Sequence, residues 1–492
     1  MTDYQMLVGG EFVDAMANRR LPVVDPFTRE EFASIPDATT EDVQNAVSVA
    51  SRTFDGGWSS TSGIARAQLM NRLADLLDER AEVMGQLESR DNGKLISETT
   101  QQVRFAARIY RFFAGYADKL YGRTIPMDRV DVFDYTLRQP VGVAALITAW
   151  NSPMQLLANK LAPALAAGCT VVIKPSEHAS VSTMELARIT VEAGFPPGVI
   201  NVVSGAVECG VALTTSAGVD TISFTGSVPT GQAIAAAASQ SLVPVTLELG
   251  GKSPNIVFED ADLDRAVTGA LAGIFSAGGQ TCIAGSRMLV HESVYREMVE
   301  GVRDRANRIR LGDPRDRRTQ MGPVANEPQY DRIRAMVDLG RASGARLVTN
   351  DAPLDDSSLG RGLFIRPTVF ADVDNSSRLA QEEIFGPVLS MIPFRNEDEA
   401  VALANETSFG LASGIWTQSL QRAHRVANRI VAGTVWVNTY RLSGAQAPFG
   451  GVKKSGHGRE RGEEALDEYL RTKNVMIDLA ADLADPFAAS EG

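Results

Sequence analysis

The sequence predicts an α/β protein of more than one domain, built on parallel sheets with helices on both faces. Three observations carry this expectation. From Val141 onward, short and wholly apolar runs alternate with helix-length segments, and strands that are apolar on both faces belong to parallel sheets covered on both sides. The chain has 492 residues, more than one simple core holds, so two large domains are expected. A polar, strand-like stretch over Tyr121–Arg138 interrupts a helical region and reads as an excursion from the domain body.

In chain order, residues 7–35 read as short strands and turns, beginning with Leu7–Val13 around Gly9-Gly10. Thr40-Glu41-Asp42-Val43 gives a cap and first turn, followed by apolar residues at Val43, Ala46, Val47 and Ala50. One helix is expected over Gly63–Leu87 and another over Thr99–Tyr116; Met127-Asp128-Arg129 then supplies a hairpin turn. Strands follow at Val141–Thr148, Cys169–Lys174, Val199–Ser204 and Thr221–Phe224. Helices are expected at Met154–Ala167, Val181–Ala193, Cys209–Thr215 and from Thr230. A second α/β section after Glu248 carries helices near Asp264–Phe275 and Glu292–Arg310, with strands near Val388–Pro393 and Gly433–Val437. The small, acidic tail over 481–492 is expected to fray.

Composition excludes several classes of function. The formal net charge is −12 with no basic cluster, which argues against nucleic acid and anionic membrane as partners. No apolar run approaches the roughly 20 residues of a membrane span, and the first residues carry no signal-peptide pattern. Three cysteines make no disulfide framework, and four histidines without ligand spacing give no metal site. Free thiols fit a reducing cytoplasm.

Two segments carry chemistry. Gln280-Thr281-Cys282-Ile283-Ala284-Gly285-Ser286 sets a thiol among turn residues, and Glu248-Leu249-Gly250-Gly251-Lys252 ends an apolar strand with a carboxylate. Together they offer a nucleophile and a general base, a pair able to form a thioester and then hydrolyse it. Thr246–Ser253 falls short of a phosphate-binding loop because Thr246 stands where the first glycine is needed, and no G-x-G-x-x-G follows any strand. Dinucleotide binding must therefore rest on other residues. Lys174-Pro175-Ser176-Glu177 ends one strand, placing a cation and a carboxylate where ribose hydroxyls could meet them. Phe224-Thr225-Gly226-Ser227 ends another and opens a helix whose N–H groups suit a pyrophosphate. Each alone is a common strand-to-helix turn.

Taken in order with Trp150-Asn151, Gly279-Gln280-Thr281-Cys282, Glu382–Pro387 and Pro448-Phe449-Gly450-Gly451, these motifs resemble the aldehyde dehydrogenase superfamily from about residue 7 to about residue 480. The resemblance implies two Rossmann-like parallel-sheet domains plus a small β bridging domain used in oligomerisation. Residues 1–120 and 142–250 would bind the dinucleotide, 251–452 would form the catalytic domain, and 121–141 with 453–480 would bridge subunits of a dimer or tetramer. It also implies Cys282 as nucleophile, with its pKa lowered once cofactor and substrate are in place. Asn151 would be an oxyanion donor alongside the Cys282 N–H, and Glu248 the base that activates water. Glu248 favours hydrolysis over the acylating branch, which passes the acyl group to coenzyme A. Lys174 and Glu177 would contact the adenosine ribose, favouring NAD while admitting NADP. Phe224, Gly226 and Ser227 would hold the pyrophosphate, with Trp150 along the phosphate path, and Glu383 and Phe385 would flank the nicotinamide ribose and ring. Cys169 and Cys209 read as core, and His457 as exposed and non-catalytic.

The implied substrate is a small aldehyde, oxidised to the acid. Its pocket is expected to involve Met154, Gln155, Thr281, Ile283, Arg441 and Ser443, with Ser152, Asn159 and Tyr440 nearby. Small and polar residues here suggest a roomy, wet site. Arg441 raises the alternative of a semialdehyde dehydrogenase for an anionic or polar substrate; the opposing reading pairs Arg441 with a surface acid. A non-catalytic, family-derived binding protein is a distant alternative, opposed by the intact Cys282, Glu248 and Asn151.

Overall fold

The computed structural model describes residues 2–352, 354, 359–481, 486 and 487, so most of the tail read as frayed lies outside the described residues. Five parallel strands form the heart of an eight-stranded sheet, in the spatial order Val245–Glu248, Thr221–Thr225, Val143–Ile147, Thr170–Lys174 and Ile200–Val202. Each reads as an apolar run because helices cover both faces; Val143–Ile147 and Thr170–Lys174 are buried along their whole length. Chain order reverses beside Val143–Ile147, which opens a crevice beyond the carboxyl ends of that strand and Thr221–Thr225. Both sheet edges are closed by antiparallel strands: the hairpin Met6–Val8 and Glu11–Val13 on one side, and Gly456–His457 against Leu247 and Glu248 on the other.

A second sheet has seven strands, all parallel except the edge strand Arg346–Leu347. Pro254–Val257 and Arg287–His291 sit at its middle, with Ala412–Trp416 and Thr434–Val437 to one side and Val388–Phe394 and Thr368–Ala371 to the other. The expected excursion is a three-stranded antiparallel sheet in which Val132–Pro140 pairs with Thr124–Ile125 and, along nine residues, with Leu470–Asp478. Residues 453–480 thus serve two places, since Gly456–His457 joins the first large sheet. Among the described residues, no helix is long and apolar enough to cross a membrane.

Local expectations shift in instructive ways. Thr39, one residue earlier than expected, caps the helix Thr40–Asp55: its hydroxyl accepts from Asp42 N–H while the Asp42 carboxylate accepts from Thr39 N–H at 2.8 Å. The single helix expected over Gly63–Leu87 is two, Gly63–Glu79 and Ala81–Asn92, joined at Arg80 without a glycine or proline to announce the break. Cys169 and Cys209 are both fully buried, and His457 is exposed.

Candidate active site

Cys282 lies between helix Leu263–Phe275 and strand Arg287–His291, just past a tight turn at Ser276–Gly279 where Ala277 and Gly278 take left-handed backbone angles. Side chains from elsewhere pin this loop. The Ala277 N–H donates to Glu98 at 2.8 Å, and the Gln280 amide oxygen accepts from Ala325 N–H at 3.0 Å. Asn151, in the turn between strand Val143–Ile147 and helix Pro153–Ala167, donates from Nδ2 to the Gln280 carbonyl at 3.0 Å. That bond fixes the amide plane and uses one of its two N–H donors.

Cys282 and Asn151 open onto a cavity of about 390 Å³. Gln155, Thr281, Ile283, Arg441 and Ser443 line it as the sequence predicts, together with Ser152 and Asn159. Met154 does not. It is fully buried in the first core, its N–H donating to Glu88 at 3.2 Å, because one step along the helix turns it about 100° from Gln155. Tyr440 is likewise packed inside the second domain, its hydroxyl donating to the Ile283 carbonyl at 3.1 Å. Arg441 pairs with no surface acid among the described residues: its guanidinium donates to the Ala272 and Ser276 carbonyls at 3.3 and 3.2 Å, at the carboxyl end of helix Leu263–Phe275. Sequence reasoning missed Lys94, Phe105, Trp436, Phe449 and Arg461, which reach the cavity from elements distant in the chain.

Glu248 ends its strand with both carboxylate oxygens buried and, among the described residues, without a hydrogen-bond partner. Burial holds its pKa well above the usual carboxylate range. The neighbouring Glu460 adds to the rise, while Lys160, Arg459 and Arg461 oppose it. Gly450, at a positive φ, lies so close that an added methyl would stand 2.7 Å from Glu248 Oε1. Glu460 itself is committed, accepting from Asn159 Nδ2 at 2.9 Å and pairing with the buried Lys160 at 2.5 Å. Burial pushes the Cys282 thiol up to about 12, with Glu248, Glu383 and Glu460 adding repulsion and Arg461 opposing it. The ligand-free thiol is therefore protonated near neutral pH.

The residues expected to hold a dinucleotide gather beyond the carboxyl ends of the first sheet. Lys174 Nζ lies 3.7 Å from Glu177 and donates to the Pro175 carbonyl at 3.1 Å. The Phe224 ring packs over Gly226 so closely that no side chain fits there. Ser227 caps helix Val228–Ser239, leaving an exposed hydroxyl at its amino end. Glu383 accepts from Gly251 N–H at 3.0 Å, and burial raises its pKa to about 7 against the pull of that N–H, Arg332 and Lys252. Trp150 and Phe385 meet edge to face at 5.3 Å, with Phe385 in a left-handed conformation. Ala277, Arg441 and Arg461 share that uncommon backbone.

The pattern of the aldehyde dehydrogenase family matches residues 12–475. The chain is 42% identical over 471 residues to betaine aldehyde dehydrogenase of Cereibacter sphaeroides, covering 96% of each protein. It is also 42% identical over 492 residues to (Z)-2-((N-methylformamido)methylene)-5-hydroxybutyrolactone dehydrogenase of Acinetobacter baylyi, covering 99% of each. Its fold is similar to that of betaine aldehyde dehydrogenase from Staphylococcus aureus solved in complex with NAD+, with a TM-score of 0.97 and 37% identity over 99% of this chain and 97% of that one. The ordered motifs, the two largely parallel sheets and the thiol lining the cavity agree with these similarities, and the chain belongs to the aldehyde dehydrogenase family.

Proposed function

We propose that the protein oxidises an aldehyde to its carboxylic acid with NAD and releases the acid by hydrolysis. The observation that carries this reading is the meeting of Cys282 and Asn151 at one cavity, with the buried Glu248 carboxyl, unpaired among the described residues, close enough to raise the thiol's pKa. Cys282 attacks the carbonyl carbon, and the oxygen becomes an oxyanion that the second N–H of Asn151 stabilises, with the Cys282 N–H as partner. Bound NAD supplies the acceptor for the hydride that leaves the resulting hemithioacetal. Glu248 then takes a proton from water so that hydroxide attacks the Cys282 thioester, breaking the C–S bond and freeing acid and thiol.

Lys174 and Glu177 suit the adenosine ribose, and the Glu177 carboxylate repels a 2′-phosphate, so NAD is preferred over NADP. Ser227 suits the pyrophosphate because the helix end favours anions, and Phe224 packed on Gly226 holds the turn that presents it. Glu383, held by the Gly251 N–H, suits the nicotinamide ribose, and Phe385, edge to face with Trp150, suits the ring. On this reading residues 1–120 and 142–250 bind nucleotide, 251–452 carry the catalytic thiol, and 121–141 with 453–480 bridge subunits.

The test is formation of reduced nucleotide across aliphatic, aromatic, amino- and carboxy-aldehydes, with NAD or NADP and with or without coenzyme A. NAD-linked turnover that needs no coenzyme A supports the reading, and dependence on coenzyme A refutes it. Asn151→Ala is expected to lower kcat by about 10²–10³, the usual cost of one oxyanion donor, while KM changes little. A loss confined to KM would remove Asn151 from that role.

Among the described residues, the strand Leu470–Asp478 leaves one edge unpaired, and Phe133, Met476 and Ile477 of the same small sheet are exposed. Open edges and exposed apolar side chains favour pairing with another chain. This supports self-association as a dimer or a pair of dimers. Sedimentation at micromolar concentration is expected to show no monomer, and a monomer there would refute the assignment.

A further inference from the structure

We propose that the cavity selects an aldehyde bearing a carboxylate at its far end, and that Arg461 is the residue that holds that carboxylate. The proposal rests on the aldehyde-oxidation reading above and names its substrate class. Although the chain carries a net charge of −12, three cationic side chains, Lys94, Arg441 and Arg461, line the cavity, and no Asp or Glu is among its described lining residues.

The three cations are not equally free. Arg441 is spent on two backbone carbonyls, and Lys94 donates to the Ser152 hydroxyl at 3.0 Å. Arg461 is only 6% exposed, yet among the described residues its one hydrogen-bond partner is the Ser443 hydroxyl, and its Nε is buried with none. A guanidinium has five N–H donors in a planar fork matched to a carboxylate. The acids nearby do not neutralise it. Glu460 is taken up by Lys160 and Asn159, and among the described residues the buried Glu248 carboxyl makes no hydrogen bond to Arg461.

A buried cation without an ion-pair partner is costly, and a ligand carboxylate supplies the missing partner. The guanidinium also lies over the Phe449 ring, 4.5 Å from its centroid, and 5.8 Å from that of Phe105. The aromatic face on which a quaternary ammonium would stack is therefore already taken by a like charge. A neutral tail leaves Arg461 unpaired, and a cationic tail is repelled.

The experiment compares kcat/KM for 4-oxobutanoate, pentanal and betaine aldehyde with NAD, in the wild type and in Arg461→Gln and Arg461→Lys. In the wild type the carboxy-aldehyde is expected to exceed pentanal by at least tenfold, with betaine aldehyde last. Arg461→Gln is expected to lower the carboxy-aldehyde-to-pentanal ratio by about 10–100-fold, as for loss of a charge-assisted bond, chiefly through KM, and Arg461→Lys to restore part of it. Binding of succinate, followed by calorimetry on the same folded proteins, is expected to weaken in parallel. Turnover of pentanal with no preference for the carboxylate would overturn the proposal and leave aldehyde oxidation standing. Equal losses on both aldehydes, with a pH profile moved upward, would assign Arg461 to the Cys282 thiolate instead and also overturn it. Absence of turnover with every aldehyde would overturn both readings.

Discussion

Cys282→Ala is expected to lower aldehyde oxidation by on the order of 10⁵-fold or more, because no second thiol is among the described residues lining the cavity. NAD binding should remain near the wild-type value, since the residues expected to hold the dinucleotide lie beyond the first sheet and make no use of the thiol. Reduced-nucleotide formation measures the first quantity and calorimetric titration with NAD the second. Residual oxidation above about one part in a hundred would refute the nucleophile, because the usual loss for such a group is far larger. The thiol's own chemistry gives a second readout. With its pKa pushed up to about 12 by burial and by Glu248, Cys282 in ligand-free protein should alkylate slowly at neutral pH. The rate should climb about tenfold per pH unit until the thiolate dominates. A fast, pH-independent reaction would mean that the thiolate is already formed at rest.

Glu248→Gln is expected to separate the two halves of the reaction. Acylation needs no base to activate water, so the variant should release a burst of reduced nucleotide close to one per site. Deacylation should then limit turnover, slowed by about 10²–10⁴-fold, the usual contribution of a general base. Rapid-quench measurement of the burst and the steady rate checks both, and a variant with the full steady-state rate would remove Glu248 from the base role. The pH dependence follows from the direction of its shift. Glu248 must be ionised to accept a proton, and burial with Glu460 beside it holds ionisation back. Steady-state turnover in the wild type should therefore rise with pH through that raised pKa and fall on acidification. Lys160, Arg459 and Arg461 pull the other way, and the Cys282 thiol faces the same carboxyl, so the limb belongs to the cluster as a whole. In the Gln variant this limb should shift, since Glu248 no longer contributes to it.

The parallel strands were legible because burial on both faces leaves an unmistakable apolar run, as in Val143–Ile147. Glu248 was legible at the end of its strand, and Cys282 and Asn151 in the connections between elements, where turn residues mark the place. What stayed hidden depends on contacts between distant parts of the chain. Helix Pro153–Ala167 is buried nearly all round, so no polar face told which of Met154 and Gln155 would look into the cavity. Lys94, Phe105 and Arg461 lie far from Cys282 in sequence, and Arg461 reads locally as one more surface charge. The division at Arg80 carries no local signal because both flanking helices keep a continuous apolar pattern.

The two-residue strand Gly456–His457 has a consequence for how the molecule is made. It closes the edge of the first sheet at Leu247 and Glu248, yet it leaves the ribosome roughly 200 residues after them, on the order of 10–40 s later at ordinary elongation rates. Until then the nascent chain holds five parallel strands with one flank open, and Glu248 lacks both its covering strand and Gly450. Catalytic competence is therefore acquired abruptly and late in synthesis, and the interval before it is when the emerging chain most needs a chaperone on that flank.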